Sequence, residues 1–414
     1  MRRSSRLLRW LPPILVAGLL AGCGETLPGT PRPATPDFAG LDVGHWNTSP
    51  LAVPDNGNAA YGRILESVRI AEAVIHPVDL DSTLLYSVTA LVPTPLASVG
   101  ILAAAARPVL AEHGMVAGYS VTAADTGGER TTLAARSTLT RVTVLSFPDA
   151  AAAASAAREV GAADFAAGPG NQAVEIPGYE GVHSHWRPGV PTLGVYAAHG
   201  SFLVALYIRL PEPDATALAT VAATALDAQL PRLDQFVPTR AEQLSALPLD
   251  PDAMLRRMLP LRSGQWIYPS LSRRENYFDE VTVAIGLRMI GGVVLGPGAV
   301  DHEARGEQRE YGIEREAVAG VETLYRLRDA NSARRYYDMI VRSIAESGDG
   351  DRTVITAPAA VPDAHCYRIE FHGADPYHRC YLLDGEYVAT VIGPDETFVR
   401  RRAAAQYVLL VNSR

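Results

Sequence analysis

The chain has 414 residues, 48% hydrophobic and 20% charged, with a formal net charge of −8, an ordinary globular composition with length enough for two domains. A body this acidic disfavours nucleic acid and anionic membrane surfaces as partners. All 37 basic residues are arginine, which excludes a lysine Schiff base, a Ser-x-x-Lys acylation site and a Walker-type phosphate loop within this sequence.

Arg2, Arg3, Arg6 and Arg9 precede an apolar run from Trp10 to Leu20, interrupted only by Pro12 and Pro13 and followed by Ala21-Gly22-Cys23. The run has the length of a signal-peptide apolar region and is too short to span a bilayer as a helix. Leu20-Ala21-Gly22-Cys23 resembles the lipobox of bacterial lipoproteins. That resemblance implies removal of residues 1–22, a diacylglyceryl thioether on Cys23 and fatty acylation, palmitate being the expected chain, of the new amino terminus. The removed segment carries four arginines and no acid, which takes the net charge from −8 to −12. Each buried methylene contributes roughly 0.8 kcal/mol, so two or three acyl chains hold a protein at the membrane where a single one binds reversibly. Arg2-Arg3 leaves twin-arginine export open beside the general secretory route. Residues 23–43, with Pro28, Pro31, Pro33 and Pro36, read as an extended tether.

Folded structure is expected from His45-Trp46 onward. Ile64, Val68, Ala71 and Ile75 fall on one stripe of a helix over 60–75, which Pro77 stops. The uncharged run from Ser82 to Ala106 is long enough to raise a transmembrane helix, but Pro93, Pro95 and its many hydroxyl residues make it a buried strand-and-helix segment of a soluble domain. The stretch from Val281 to Val294, broken by Arg288, reads the same way.

An internal repeat follows. Thr143-Val144-Leu145-Ser146-Phe147-Pro148-Asp149-Ala150 reappears as Thr323-Leu324-Tyr325-Arg326-Leu327-Arg328-Asp329-Ala330, a strand running into an aspartate suited to cap a helix. The two helices share an apolar stripe: Ala150, Ala153, Ala157 and Val160 against Ala330, Ala333, Tyr337 and Ile340. His199-Gly200-Ser201 and Asp384-Gly385-Glu386 are tight turns between strands. Pro213-Asp214 and Pro394-Asp395 then open closing helices, the second carrying Phe398, Val399, Ala403, Gln406 and Leu410. The fold class expected is α+β, with two tandem, distantly related modules, each a mostly antiparallel sheet packed by helices. The modules span 44–244 and 245–414, divided at the proline-rich stretch 245–252.

Of the three cysteines, Cys23 is assigned to lipid. Cys366 and Cys380 lie symmetrically about Gly373, so in an antiparallel hairpin they face each other and form a disulfide. A metal site from Cys366, Cys380, His365 and His378 is the rival, although these spacings match no zinc signature.

Arg69-Ile70-Ala71-Glu72, Gly114-Met115-Val116-Ala117-Gly118-Tyr119, Asp250-Pro251-Asp252-Ala253-Met254-Leu255 and Ala404-Ala405-Gln406-Tyr407-Val408, together with the lipobox and tether, resemble an uncharacterised family of two-domain actinobacterial envelope lipoproteins. The resemblance implies organisation and location and assigns no activity.

No Gly-x-Ser-x-Gly elbow, His-Glu-x-x-His pair or Cys-x-x-Cys pair is present, and Gly296-Pro297-Gly298-Ala299-Val300-Asp301 is a turn rather than a dinucleotide loop. His183 and His185 point to the same side of a strand. The repeat sets His183 against His365 and His185 against Tyr367, a surface strand face. With His365 and His378 these are the candidate binding residues. Arg400, Arg401 and Arg402, like Arg334-Arg335, are read as solvated charge, with Tyr336-Tyr337 turned inward. No catalytic residue, metal or cofactor is expected. The function expected is that of a non-catalytic envelope module, anchored to the membrane by lipid and binding an envelope protein, glycan or lipid. A carrier or sensor of a small apolar ligand, and a secreted hydrolase or metal-dependent enzyme using the histidine strands, are the alternatives.

Overall fold

The computed structural model describes residues 38, 40–126, 137–271, 290–299, 309–346, 352–371 and 374–414. The expected lipobox at Cys23 and the expected tether up to Asp37 lie outside the described residues, as do His372, Gly373, 281–289 and Val300-Asp301. Runs rich in Val, Ile, Leu and Tyr build two antiparallel sheets. The strands of the first are β1 (Tyr86–Leu91), β2 (Ala117–Ala124), β3 (Leu139–Ser146), β4 (His183–Trp186), β5 (Thr192–His199) and β6 (Phe202–Arg209). Their order across the sheet is β1-β2-β3-β6-β5-β4. The second sheet holds β7 (Ser270–Leu271), β8 (Ile290–Leu295), β9 (Ile313–Ala319), β10 (Glu322–Leu327), β11 (Arg352–Ile355), β12 (His365–Phe371), β13 (Ala374–Asp384) and β14 (Tyr387–Gly393). Its order is β11-β12-β13-β14-β10-β9-β8-β7.

Helices cover both faces of each sheet. On the first, α1 (Ala59–Ala71) and α4 (Ala215–Asp234) bury Val142, Val195, Val204 and Leu206, while α2 (Ala106–Glu112) and α3 (Ala150–Ala167) bury Leu145, Leu203 and Ala205 on the other side. On the second, α5 (Ala330–Glu346) covers Tyr367, Ile369 and Tyr381, and α6 (Glu396–Asn412) covers Cys366, Cys380, Leu382 and Val391. The architecture is α+β, with helices on both sides of antiparallel sheets. Residues 38–414 form one compact unit: Ile70 and Val74, from α1 and just beyond it, share a core with Val293 and Leu295 of β8.

The repeat read from the sequence has a topological counterpart. The order β1-β2-β3-β6-β5-β4 matches β8-β9-β10-β14-β13-β12, with β7 and β11 added at the two edges. Four aspartates cap the helices concerned: Asp149 accepts from the Ala152 amide at 2.8 Å, Asp329 from Ser332 at 2.7 Å, Asp214 from Thr216 at 2.9 Å and Asp395 from Phe398 at 2.8 Å. Such a cap contributes about 1 kcal/mol. Gly200 and Gly385 turn the two hairpins with φ +53° and +56°, where a Cβ is penalised.

The predicted bridge is present. Cys366 pairs with Cys380 in the β12–β13 register, their Cα atoms 4.1 Å apart and their sulfurs bonded. Gly296–Ala299 is a turn, and Tyr336 and Tyr337 are buried beneath exposed Arg334 and Arg335.

Four expectations are corrected. Packing begins at Phe38, whose ring meets Tyr407 edge-on at 6.3 Å, ahead of His45-Trp46. The first helix stops at Ala71. Beyond it the Gln229 side chain of α4 takes the Ile75 amide at 3.0 Å and donates to the Ala73 carbonyl at 2.8 Å, replacing helical bonds with tertiary ones. The 82–106 segment is only partly buried, because β1 is an edge strand and leaves Tyr86 and Val88 exposed. Arg402 is 2% exposed rather than solvated, since Glu322 neutralises it and the Trp46 ring lies 4.1 Å from its guanidinium.

Candidate functional site

Cross-strand pairing places two rows of side chains on the α3 face of the first sheet. One runs Arg141–Tyr207–Gly194–His185, the next Thr143–Ala205–Tyr196–His183, each across β3, β6, β5 and β4. Gly194 in the first row and Ala205 in the second, each beside a tyrosine, leave a depression in this face. Gly194 gives the His185 ring its place, because a Cβ there would sit 2.2 Å from Cε1 of His185 and displace the ring. The end of α3 and the 100–103 loop close the sides, giving a cleft of about 320 Å³, at the lower end of the roughly 300–1,000 Å³ of small-molecule sites.

One end of the cleft is cationic. Arg141 donates from Nε to Thr122 Oγ1 at 2.8 Å and from Nη1 to the Ile101 carbonyl at 2.7 Å, with its guanidinium 5.8 Å from the Tyr207 ring centre. Burial pushes its pKa down and Tyr207 opposes this, yet a guanidinium stays charged at neutral pH. Among the described residues no carboxylate pairs with it. The other end is anionic and hydrogen-bonding. Asp164 of α3 accepts from the Tyr196 hydroxyl, and its Oδ2 lies 3.5 Å from His185 Nε2. The His185 and Tyr196 rings stack at 6.3 Å. Burial, reinforced by Asp164, raises the Tyr196 phenol well above its ordinary pKa, so it donates and does not ionise. His185 Nδ1 is buried and, among the described residues, has no hydrogen-bond partner.

The sequence-predicted residues separate. His185 lines the cleft and His183 lies exposed beside it on the same face of β4. His365 occupies the place of His183 in the second sheet: His183 pairs with Tyr196, and His365 pairs with Tyr381. Alternation along β12 and β13 puts His365 on the α5 face and buried His378 on the α6 face with the disulfide, so the two histidines cannot converge. In the second module, Tyr337 of α5 stands where α3 has Ala157. Its hydroxyl meets His365 Nδ1 at 2.9 Å and the Asp363 carbonyl, and at the position of Gly194 the second sheet has Arg379, paired with Tyr367 as Gly194 is with His185. Among the described residues no three of His, Cys, Asp or Glu are grouped as metal ligands.

Sequence reasoning missed Arg141, Asp164, Gly194, Tyr196 and Tyr207. A glycine inside the apolar strand Leu193-Gly194-Val195 was the available signal, since such a residue marks close approach of another group.

Fold and cleft together define a tandem α+β protein with a polar pocket in its first module. Family models of a domain of unknown function, DUF7373, match both parts, the N-terminal one over 53–249 and the C-terminal one over 298–413, and the chain belongs to this family. No curated protein matches it. Among solved structures, the extracellular domain of PknH from Mycobacterium tuberculosis is similar over 38% of this chain and 92% of that chain, with 12% identity and a TM-score of 0.27.

Proposed function

We propose that this protein is a non-catalytic binding module of the cell envelope, held by lipid on Cys23 at the extracytoplasmic face of the membrane, with its ligand seated in the α3-side cleft of the first sheet. The observation that carries the reading is the Arg141 guanidinium, set into the cleft wall and, among the described residues, ion-paired with no carboxylate, while Asp164 lies at the other end of the cleft. A part-buried charge of this kind gains from an anionic partner that completes its hydrogen bonds. The lipobox and the arginine-rich start support the address. The groups around the cleft suit recognition: a permanent cation, a phenol that keeps its proton and a carboxylate already accepting a hydrogen bond.

Two measurements test this. Fractionation of cells expressing the full chain is expected to leave it with the membrane, carrying an acylated Cys23 by mass spectrometry, whereas Cys23→Ser is soluble; equal partition of both overturns the anchor. A thermal-shift screen of small molecules on the full chain is expected to yield binders whose shifts vanish in Gly194→Leu. Binders indifferent to that substitution overturn the cleft as the site.

A further inference from the structure

We infer that the cleft takes a small carboxylate bearing an amine or hydroxyl at its far end, the carboxylate on Arg141 and the donor on Asp164. This rests on the reading of the cleft as the binding site and specifies its ligand. Among the described residues two of the five N–H groups of Arg141 are used, by Thr122 and Ile101, and those two bonds hold the guanidinium in place. The remaining donors match a carboxylate, which a guanidinium binds through paired hydrogen bonds. At the opposite end a second anion is repelled, because Asp164 is there. That carboxylate accepts from Tyr196 and keeps lone pairs for a donor from the ligand. A ligand oxygen or nitrogen reaching this end also meets His185, whose Nδ1 lacks a partner among the described residues.

Length is set by the sheet. Three strand spacings separate the backbones of Arg141 and His185, roughly 14 Å at about 4.8 Å per strand. The His185 ring extends over Gly194 within that span, whereas Arg141 bonds Thr122 of β2 on the far side of β3, so an unbranched ligand of several carbons bridges the distance. An apolar ligand without charge leaves Arg141 desolvated and unpaired, which the wall chemistry disfavours.

The test uses the full chain in detergent with three probes of one length: ε-aminocaproate, caproate and ε-aminocaproamide. Calorimetric titration is expected to rank the amino acid first, with the amide weaker by tenfold or more and caproate weaker by a smaller factor. Arg141→Gln is expected to abolish the preference for acid over amide, and Asp164→Asn the preference for the amine, with melting curves showing that each variant is folded. Should a variant fail to fold, the ranking of probes on the unaltered chain decides. Equal affinity for acid and amide overturns the inference and leaves the cleft standing as a binding site. Absence of heat from every probe at about 10 mM, a concentration that detects millimolar binding, overturns the ligand class, while the Gly194→Leu screen decides the site independently.

Discussion

The Tyr196 hydroxyl on β5 donates to the Asp164 carboxylate near the end of α3, tying the helix to the sheet across the mouth of the cleft. Tyr196→Phe removes a hydrogen bond to a charged acceptor, and such bonds contribute about 1.5–3 kcal/mol. Urea unfolding of the variant is expected to show a loss in that range. Ultraviolet titration is expected to lose one late-ionising phenol, since burial and Asp164 together raise Tyr196. An unchanged unfolding midpoint refutes the tie.

Tyr179 gives the protein a window of alkaline sensitivity. Burial, and then the hydrogen bond to Asp227 at 2.5 Å, push its phenol from 10.0 up to about 12. The folded pKa lies above the unfolded one, so the associated stabilisation is complete below pH 10 and is lost as the pH climbs from 10 through 12. Unfolding midpoints measured across that interval are expected to fall more steeply for the parent than for Tyr179→Phe. Parallel curves contradict the assignment.

The Cys366–Cys380 bridge joins neighbouring strands at a sequence separation of 14. Closing a loop of this length stabilises by about 3 kcal/mol at most, less where the hairpin is already formed in the unfolded chain. Reductant, or the double Cys→Ser variant, is expected to lower the melting temperature by several degrees and to leave affinity for cleft ligands unchanged, because the bridge is in the other sheet. A melting temperature indifferent to reductant counts against the bond.

Arg402 and Glu322 form an ion pair with side chains 3% and 4% exposed. Glu322 also accepts from the Ile392 amide at 3.1 Å, so the pair fastens α6 to β10 and β14. Arg402→Met leaves a buried carboxylate without its counter-ion and is expected to cost about 3–5 kcal/mol. Adding Glu322→Gln is expected to recover part of that loss. A double-mutant cycle with no coupling between the two sites disproves the pairing.

How much of this was legible in the sequence differs from element to element. The four capping aspartates and the two glycine turns could be read locally, because a cap or a left-handed turn is satisfied by residues within three or four positions of itself. The disulfide was legible because cysteines placed symmetrically in a hairpin face each other, although the register shifts between Ile369 and Phe371, so that the pairing next to the turn (Phe371↔Ala374) is one residue out of step with Cys366↔Cys380. The end of α1 was not, since the bonds that replace its last turn come from Gln229, more than 150 residues away. Nor was burial of Arg402, which depends on Glu322 arriving from a different strand.

The candidate site shows the same division. His185 was named from the sequence for its spacing from His183, but its significance comes from Gly194 on the next strand and Asp164 on a helix above. Sequence alone determined the α+β class, the repeated order of strand, capped helix, hairpin and capped helix, and the cysteine pairing, because each is carried by short-range pattern. Only tertiary structure decided that the first copy of the repeat has a polar cleft over Gly194, where the second copy carries Arg379. That outcome rests on which side chains from distant segments compete for the same volume and which charges are left without a partner.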